Sequence, residues 1–121
     1  MPGIRLKVDS TVDDPLVPDL PLVRRIETTE ALGVKLTLAT SVSYQSLACL
    51  SQFATLQGYV LAFDKAVTVR FAGQSDAGQV VNAGGFLCAL DTDIDNAGNL
   101  GIQVLFDGVG TLTVRGQAYG E

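Results

Sequence analysis

Apolar and polar side chains alternate along much of this 121-residue chain. Val34, Leu36 and Leu38, for example, are separated by Lys35 and Thr37. The same two-residue period recurs in four other stretches, at residues 4–8, 67–71, 100–106 and 111–115. Successive side chains of a strand point to opposite faces of its sheet, so this pattern predicts several half-buried β-strands.

Two continuous apolar runs, GYVLAF at 58–63 and GGFLCAL at 84–90, interrupt the alternation. Such runs are typical of central strands that are covered on both faces. Residues 46–57 leave two interpretations open. Leu47, Leu50, Phe53 and Ala54 fit one face of a helix that Ser46 would cap, but a strand fits nearly as well.

Turn-forming residues separate these runs, at 72–78, 82–85, 91–99 and 107–110. Asp107 and Gly108 lie between two alternating stretches and predict a β-hairpin. Short strands with turns every ~8–12 residues are typical of β-sandwiches and barrels. We therefore expect an all-β fold in which residues 1–121 form a single antiparallel β-sandwich domain, jelly-roll-like or barrel-like.

Residues 12–25 predict an extended, Pro-rich N-terminal arm. Three of the four prolines lie here, at Pro15, Pro18 and Pro21, and proline at this spacing favours extended chain. The segment is too apolar for a typical disordered linker. Two interpretations remain: the arm packs across its own domain, or the part from Val12 to Val23 clasps a neighbouring subunit.

The composition indicates a protein that associates with other proteins. Hydrophobic residues make up 47% of the chain and the mean hydropathy is +0.31, so some apolar side chains should remain on the surface as a partner site. A net charge of -5 argues against nucleic acid. The chain has no apolar run long enough for a membrane helix and no signal-peptide pattern at its start. Cys49 and Cys88 have apolar neighbours, which predicts buried free thiols in a reducing compartment.

Catalysis finds little support in the sequence. The chain has no histidine, which removes the usual general base and the commonest zinc ligand. The GQSDAG segment at 73–78 is one residue too long for a nucleophile elbow, and GVG at 108–110 lacks the third glycine of a dinucleotide loop. We expect no enzyme activity, no catalytic residues and no cofactor.

The aspartates Asp91, Asp93 and Asp95 raise the question of a calcium site. They match positions 1, 3 and 5 of a calcium-binding loop, and Asn99 matches position 9. Asn96, however, replaces the required glycine, and Ile102, which the alternation assigns to the core, replaces the final carboxylate. The favoured interpretation is a hairpin turn stabilised by side-chain hydrogen bonds. A weak cation site is the alternative, and we assign no metal site.

The second half of the chain resembles small β-rich virion proteins of tailed bacteriophages. The resemblance depends on VTVRF at 67–71, NAGGF at 82–86 and TVRGQAYG at 113–120, and it spans about half of the chain. It implies a head decoration, head–tail joining or tail component. Such proteins usually form symmetric homo-oligomers, of which a trimer is one option. It assigns no individual functional residues, because these proteins act through surfaces.

Together these features predict a non-enzymatic viral structural protein, made in the host cytoplasm and incorporated in the virion. It would bind itself and a major capsid or tail protein through apolar surfaces and the arm, and neither nucleic acid nor membrane. The alternative is a calcium-dependent carbohydrate-binding or adhesion module that uses Tyr44, Tyr59 and Tyr119. The lack of tryptophan and of a signal peptide weighs against that alternative.

Overall fold

A computed structural model describes residues 3–10, 16, 20–27, 30–71 and 76–121. These residues form ten β-strands and two short 3-10 turns, Ala48–Leu50 and Ala97–Asn99. The strands are β1 (Gly3–Ser10), β2 (Leu20–Glu27), β3 (Glu30–Ala39), β4 (Gln45–Ser46), β5 (Thr55–Phe63), β6 (Val67–Phe71), β7 (Gln79–Val81), β8 (Phe86–Asp95), β9 (Ile102–Leu105) and β10 (Thr111–Gly120).

Two four-stranded antiparallel sheets form the body of the protein. The long sheet has the order β3-β10-β5-β8, and the short sheet has the order β4-β9-β6-β7. This arrangement confirms the all-β sandwich predicted from the sequence. From β3 onward, each connection passes from one sheet to the other, except the one between β6 and β7.

The core lies between the two sheets and is built from the inward-facing positions of the alternating strands. Val34, Val67, Val69, Leu112 and Val114 are buried there, as the alternation predicts. Leu100 is an exception: it precedes β9 and is exposed. The other large core residues are Leu47, Leu50, Phe53, Leu56, Tyr59, Leu61, Phe63, Ile102, Val104 and Phe106.

The two continuous apolar runs have different positions in the long sheet. Residues 58–63 lie in β5, between β10 and β8, as predicted for a central strand, but the predicted cover on both faces is wrong, because Ala62 is exposed. The prediction for residues 84–90 is wrong, because β8 is an edge strand with one exposed face. Its Leu87 and Ala89 pack against the core, whereas Phe86 and Cys88 point to the opposite, exposed side.

The two turns predicted to close hairpins instead connect the two sheets. Asp107 and Gly108 lie between β9 of the short sheet and β10 of the long sheet, and residues 96–101 lie between β8 and β9. The hairpin predictions are therefore wrong. Turn-forming residues determine where a chain reverses, but packing of the core decides which strand it then pairs with.

Residues 46–57 form neither a long helix nor one continuous strand. Ser46 ends β4, the 3-10 turn follows, and β5 begins at Thr55. Leu47, Leu50 and Phe53 are nevertheless almost fully buried, so this irregular segment fills part of the core.

The N-terminal region forms a separate two-stranded antiparallel ribbon. β1 pairs with β2 from Gly3 opposite Glu27 to Ser10 opposite Leu20, and neither strand belongs to the two larger sheets. Of the predicted arm, residues 20–25 lie in β2, whereas residues 12–15 and 17–19 lie outside the described residues. The arm's role in contacting another subunit stays a prediction.

Candidate functional site

The three aspartates of the candidate calcium site lie in β8 and not in a loop. Asp91, Thr92 and Asp93 stand opposite the single residue Gln57 of β5, which makes a bulge in the edge strand. Asp91 has a left-handed backbone (φ 60°), and the Thr92 hydroxyl donates to the Gln57 carbonyl at 3.3 Å. The prediction that these aspartates form a hairpin loop is wrong; they shape the end of a strand.

These carboxylates do not form a cation cradle. Asp91, Asp93 and Asp95 are all exposed, and Asp95 already accepts a hydrogen bond from the Ala97 backbone N–H at 3.0 Å. In the part of the chain that the structure describes, no group of three or more His, Cys, Asp or Glu side chains could hold a metal ion.

Asn96 is the polar residue that organises this end of the sandwich. Its side chain is buried; its Nδ2 donates to the carbonyls of Leu50 and Phe53, both at 2.9 Å, and its Oδ1 accepts from the Gly101 N–H at 3.0 Å. Its backbone N–H donates to the Ala54 carbonyl at 2.9 Å. Asn96 therefore joins the β8–β9 connection to the irregular segment before β5.

Of the GQSDAG segment, the structure describes the part that begins at Asp76. Residues 72–75, including the serine, lie outside the described residues. The Asp76 carboxylate accepts hydrogen bonds from the N–H groups of Phe71 at 2.7 Å and Gly78 at 2.9 Å. These two bonds, in that order, hold the pKa of Asp76 below its usual value.

A polar cluster covers the outer face of the short sheet. The Arg70 guanidinium lies 3.9 Å from the centroid of the Tyr44 ring, a cation–π contact. Its Nε donates to Gln103 Oε1 at 2.7 Å, and Gln103 Nε2 donates weakly to the Ser46 hydroxyl at 3.4 Å. These contacts hold Arg70 against the sheet.

Two of the three tyrosines of the alternative carbohydrate site are buried, and the third is engaged by a cation. Tyr59 is buried in the core, and Arg70 covers the ring of Tyr44. Tyr119 is fully buried, with its ring over Gly58 and its hydroxyl donating to the Ala89 carbonyl at 3.1 Å. Burial, with a smaller contribution from Cys88, raises the pKa of Tyr119 to about 12.

An exposed apolar strip remains on the outer face of the long sheet, along β5 and β8. Its members are Val60, Ala62, Phe86, Cys88 and Leu90, and we call it the β8 patch. Phe86 pairs with Ala62 and Cys88 with Val60 across the two strands. The Phe86 side chain is 64% exposed, which is unusual for a phenylalanine on a sheet face.

Cys88 corrects the prediction of two buried thiols. Both cysteines are free, but Cys49 is half-buried and Cys88 is exposed within the β8 patch. Burial raises the pKa of the Cys49 thiol, so this group stays protonated and unreactive at neutral pH.

A shallow groove of about 330 Å³ adjoins this patch, lined by Ala62, Phe63, Asp64, Gly84, Thr113 and Arg115. Asp64 is engaged there, because its Oδ1 accepts from the Thr113 N–H at 2.7 Å. The groove and the β8 patch share Ala62, so together they form one surface that combines apolar side chains with the charged residues Asp64 and Arg115.

Comparison with known proteins identifies no relative of this chain. No protein-family model matches it, and no curated protein or solved structure does so. Among the described residues, no helix is long and apolar enough to cross a membrane. The functional proposal therefore depends on the chain's own surface.

Proposed function

We propose that this protein is a non-enzymatic structural component that assembles with copies of itself and with a larger protein. The observation that carries the proposal is the β8 patch, an exposed apolar strip beside a sheet edge that no other described strand pairs with. Exposed apolar surface on a folded domain is typically a site of protein association. The resemblance to tailed-bacteriophage proteins favours a virion, and a major capsid or tail protein as the larger partner.

The rest of the surface supports a role in assembly more than one in catalysis. The chain has no histidine, and every buried side-chain N or O atom of the described residues has a hydrogen-bond partner. Catalytic sites often hold polar groups whose hydrogen bonds are completed only by substrate. The polar groups here instead stabilise the loops and strand ends of a rigid sandwich.

The N-terminal ribbon and the arm are the second proposed contact. Leu16 and Val23 are exposed apolar side chains, and burying each against a partner would contribute ~1.5–3 kcal/mol before entropy costs. Because among the described strands β1 and β2 pair only with each other, deletion of residues 12–23 should leave the sandwich folded and weaken assembly. Unchanged assembly after this deletion would exclude the arm as a contact.

The decisive test is the absolute mass in solution, measured by size-exclusion chromatography with light scattering over a range of protein concentrations. The samples contain either a chelator or excess calcium. We expect species at multiples of 12.7 kDa that grow with concentration and are the same in both buffers. A monomer at every concentration whose melting temperature rises with calcium would contradict the proposal and favour the calcium-dependent module.

A further inference from the structure

The open edge of β8 presents backbone hydrogen-bonding groups at alternate residues. The Phe63 N–H donates to the Gly85 carbonyl at 3.0 Å. This bond determines which residues of β8 direct their backbone groups towards β5 and which direct them away. Leu87 and Ala89 therefore bond to β5. The N–H and C=O groups of Phe86, Cys88 and Leu90 consequently point away from β5, where the described chain places no further strand.

The Phe86–Leu90 part of this edge lacks the features that normally prevent edge-to-edge pairing. Natural edge strands are usually protected by charged side chains, proline or bulges. No charged residue or proline occurs between residues 77 and 90. The other edge of the long sheet, β3, carries the exposed charged residues Glu30 and Lys35. On β8 the bulge begins only at Asp91, so the described part of the chain leaves the edge of Phe86–Leu90 unprotected.

We propose that Phe86–Leu90 of β8 pairs antiparallel with the same segment of a second copy, around a two-fold axis at Cys88. This inference rests on the proposed function in assembly and names the surface that mediates it. The two long sheets would join into one continuous eight-stranded sheet. The β8 patches of both copies would lie side by side on its outer face.

The register follows from the edge itself. With Cys88 opposite Cys88 of the second copy, Phe86 faces Leu90, and all three edge-facing residues form bonded pairs. A shift of the register by two residues in either direction, the smallest that keeps edge-facing groups opposite each other, places one of these pairs against the turn at Gly84 or the bulge at Thr92. The Cys88-centred register also places Asp91 opposite Gly85, so no two carboxylates face each other across the edge.

A second copy fits this edge because the segment is complementary to itself. A two-fold interface requires that a surface match its own rotated image. On the outer face the segment presents an apolar side chain, a thiol and an apolar side chain, at Phe86, Cys88 and Leu90. This order reads the same in both directions, so it meets the requirement. Five residues per strand give an interface smaller than the ~800 Å² per partner of a stable complex, so we expect a weak dimer that a larger assembly would reinforce.

Cys88 provides the test, since bonded antiparallel pairs have Cα atoms ~5.5 Å apart. In the Cys49→Ser variant, a short bis-maleimide should link Cys88 thiols of two copies into a dimer that denaturing electrophoresis resolves. The Cys88→Ser variant, which retains Cys49, should not be linked. The rate is compared in two edge variants, Cys49→Ser/Phe86→Lys and Cys49→Ser/Leu90→Pro. The Leu90 N–H points outward, so proline there removes no bond to β5.

The matched control is Cys49→Ser/Val109→Lys, because Val109 is exposed in a connecting loop far from the edge in sequence. We expect the control to be linked as fast as Cys49→Ser, and both edge variants at least tenfold more slowly. Circular dichroism verifies that each variant is folded, and either edge variant alone suffices for the comparison. Equal rates in all variants would mean random collision and would overturn the proposal.

The mass measurement separates this proposal from the proposed function. Oligomers whose mass is unchanged by Phe86→Lys and Leu90→Pro would mean that the protein assembles through another surface, so only the β8 pairing would be wrong. A chain that is monomeric at every concentration and is not linked through Cys88 would contradict both.

Discussion

Substitution of Asn96 by alanine should remove the hydrogen bonds that join the β8–β9 connection to the segment before β5. The Asn96 side chain donates to two carbonyls and accepts from one N–H, all at 2.9–3.0 Å. Its backbone bond to Ala54 would survive. The variant therefore isolates the contribution of one buried amide.

The expected loss of stability depends on which backbone groups lose their only hydrogen-bond partner. The Leu50 carbonyl keeps a second hydrogen bond, from the Phe53 N–H at 3.1 Å. The Phe53 carbonyl and the Gly101 N–H have no other partner among the described residues. A buried polar group left unsatisfied costs ~1–3 kcal/mol. For these two groups the free energy of unfolding should thus fall by about 2–6 kcal/mol, a large part of the ~5–15 kcal/mol typical of a domain.

Urea unfolding monitored by circular dichroism measures this loss, with the slope m checked for constancy. The control is Asn82→Ala, because Asn82 is exposed and lies in a turn; we expect a change within about 0.5 kcal/mol. A loss in Asn96→Ala as small as that in the control would refute the argument. It would mean that water replaces the side chain at no cost.

Asn96→Asp adds a pH dependence to the same test. Its Oδ1 could still accept from Gly101, but its second oxygen would face the carbonyls of Leu50 and Phe53. Burial and these carbonyls disfavour the charged form, so the pKa in the folded state should rise above the unfolded value of ~3.9. The variant should be most stable below that pH and lose stability as the pH rises through the folded pKa. A pH-independent loss would contradict this assignment of the side-chain contacts.

Two further predictions concern the long sheet. Gly116→Ala should prevent stable folding or lower the free energy of unfolding by more than ~3 kcal/mol, because the added Cβ would lie 1.7 Å from the Val60 carbonyl oxygen. The control is Gly33→Ala, whose Cβ has open space around it. It should change stability little in the same urea assay. Tyr119, whose pKa is raised to about 12 mainly by burial, should stabilise the fold below the unfolded pKa of ~10 and lose that contribution as the pH rises towards the folded value. Tyr119→Phe should cost ~1 kcal/mol at neutral pH through loss of the bond to Ala89 and should show a smaller loss of stability at alkaline pH; an unchanged alkaline loss would assign it to other groups.

The sequence predicts the strands of this protein well, because alternation reflects a physical constraint that is local. In β3, β6 and β10, side chains two residues apart face the same core, and the pattern identifies them directly. β5 is also correctly predicted as central. What the pattern does not contain is the identity of the neighbouring strand, so Asp107 and Gly108 were expected to close a hairpin that does not exist.

The candidate site was harder to predict for a related reason. An apolar run such as residues 84–90 has the same composition whether its outer face is covered by its own chain or is exposed for a partner. The exposure of Phe86 and Cys88 depends on the position of β8 at the edge, which is a property of the whole sheet. The signal that was available is the lack of any charge from residue 77 to residue 90.

Asn96 illustrates the same limit at the level of one side chain. Its neighbours in sequence are aspartates that suggest cation binding, but its hydrogen-bond partners Leu50 and Phe53 are more than forty residues away. No local pattern connects these positions. The role of Asn96 becomes visible only when the two loops are placed together.

The alternation of the chain between the two sheets has a consequence for how the protein folds. Among the described strands, only β1–β2 and β6–β7 pair with their immediate neighbours in sequence. β10 lies between β3 and β5, so Glu30 has to pair with Gly120, and Phe63 with Val114, across long stretches of sequence. Pairing between distant segments makes folding slow. β5 and β8 can pair with each other as soon as β8 is synthesised, but among the described strands β3 and the β10-facing edge of β5 have no partner until β10 is made. Chaperones that bind apolar strands would act longest during that interval.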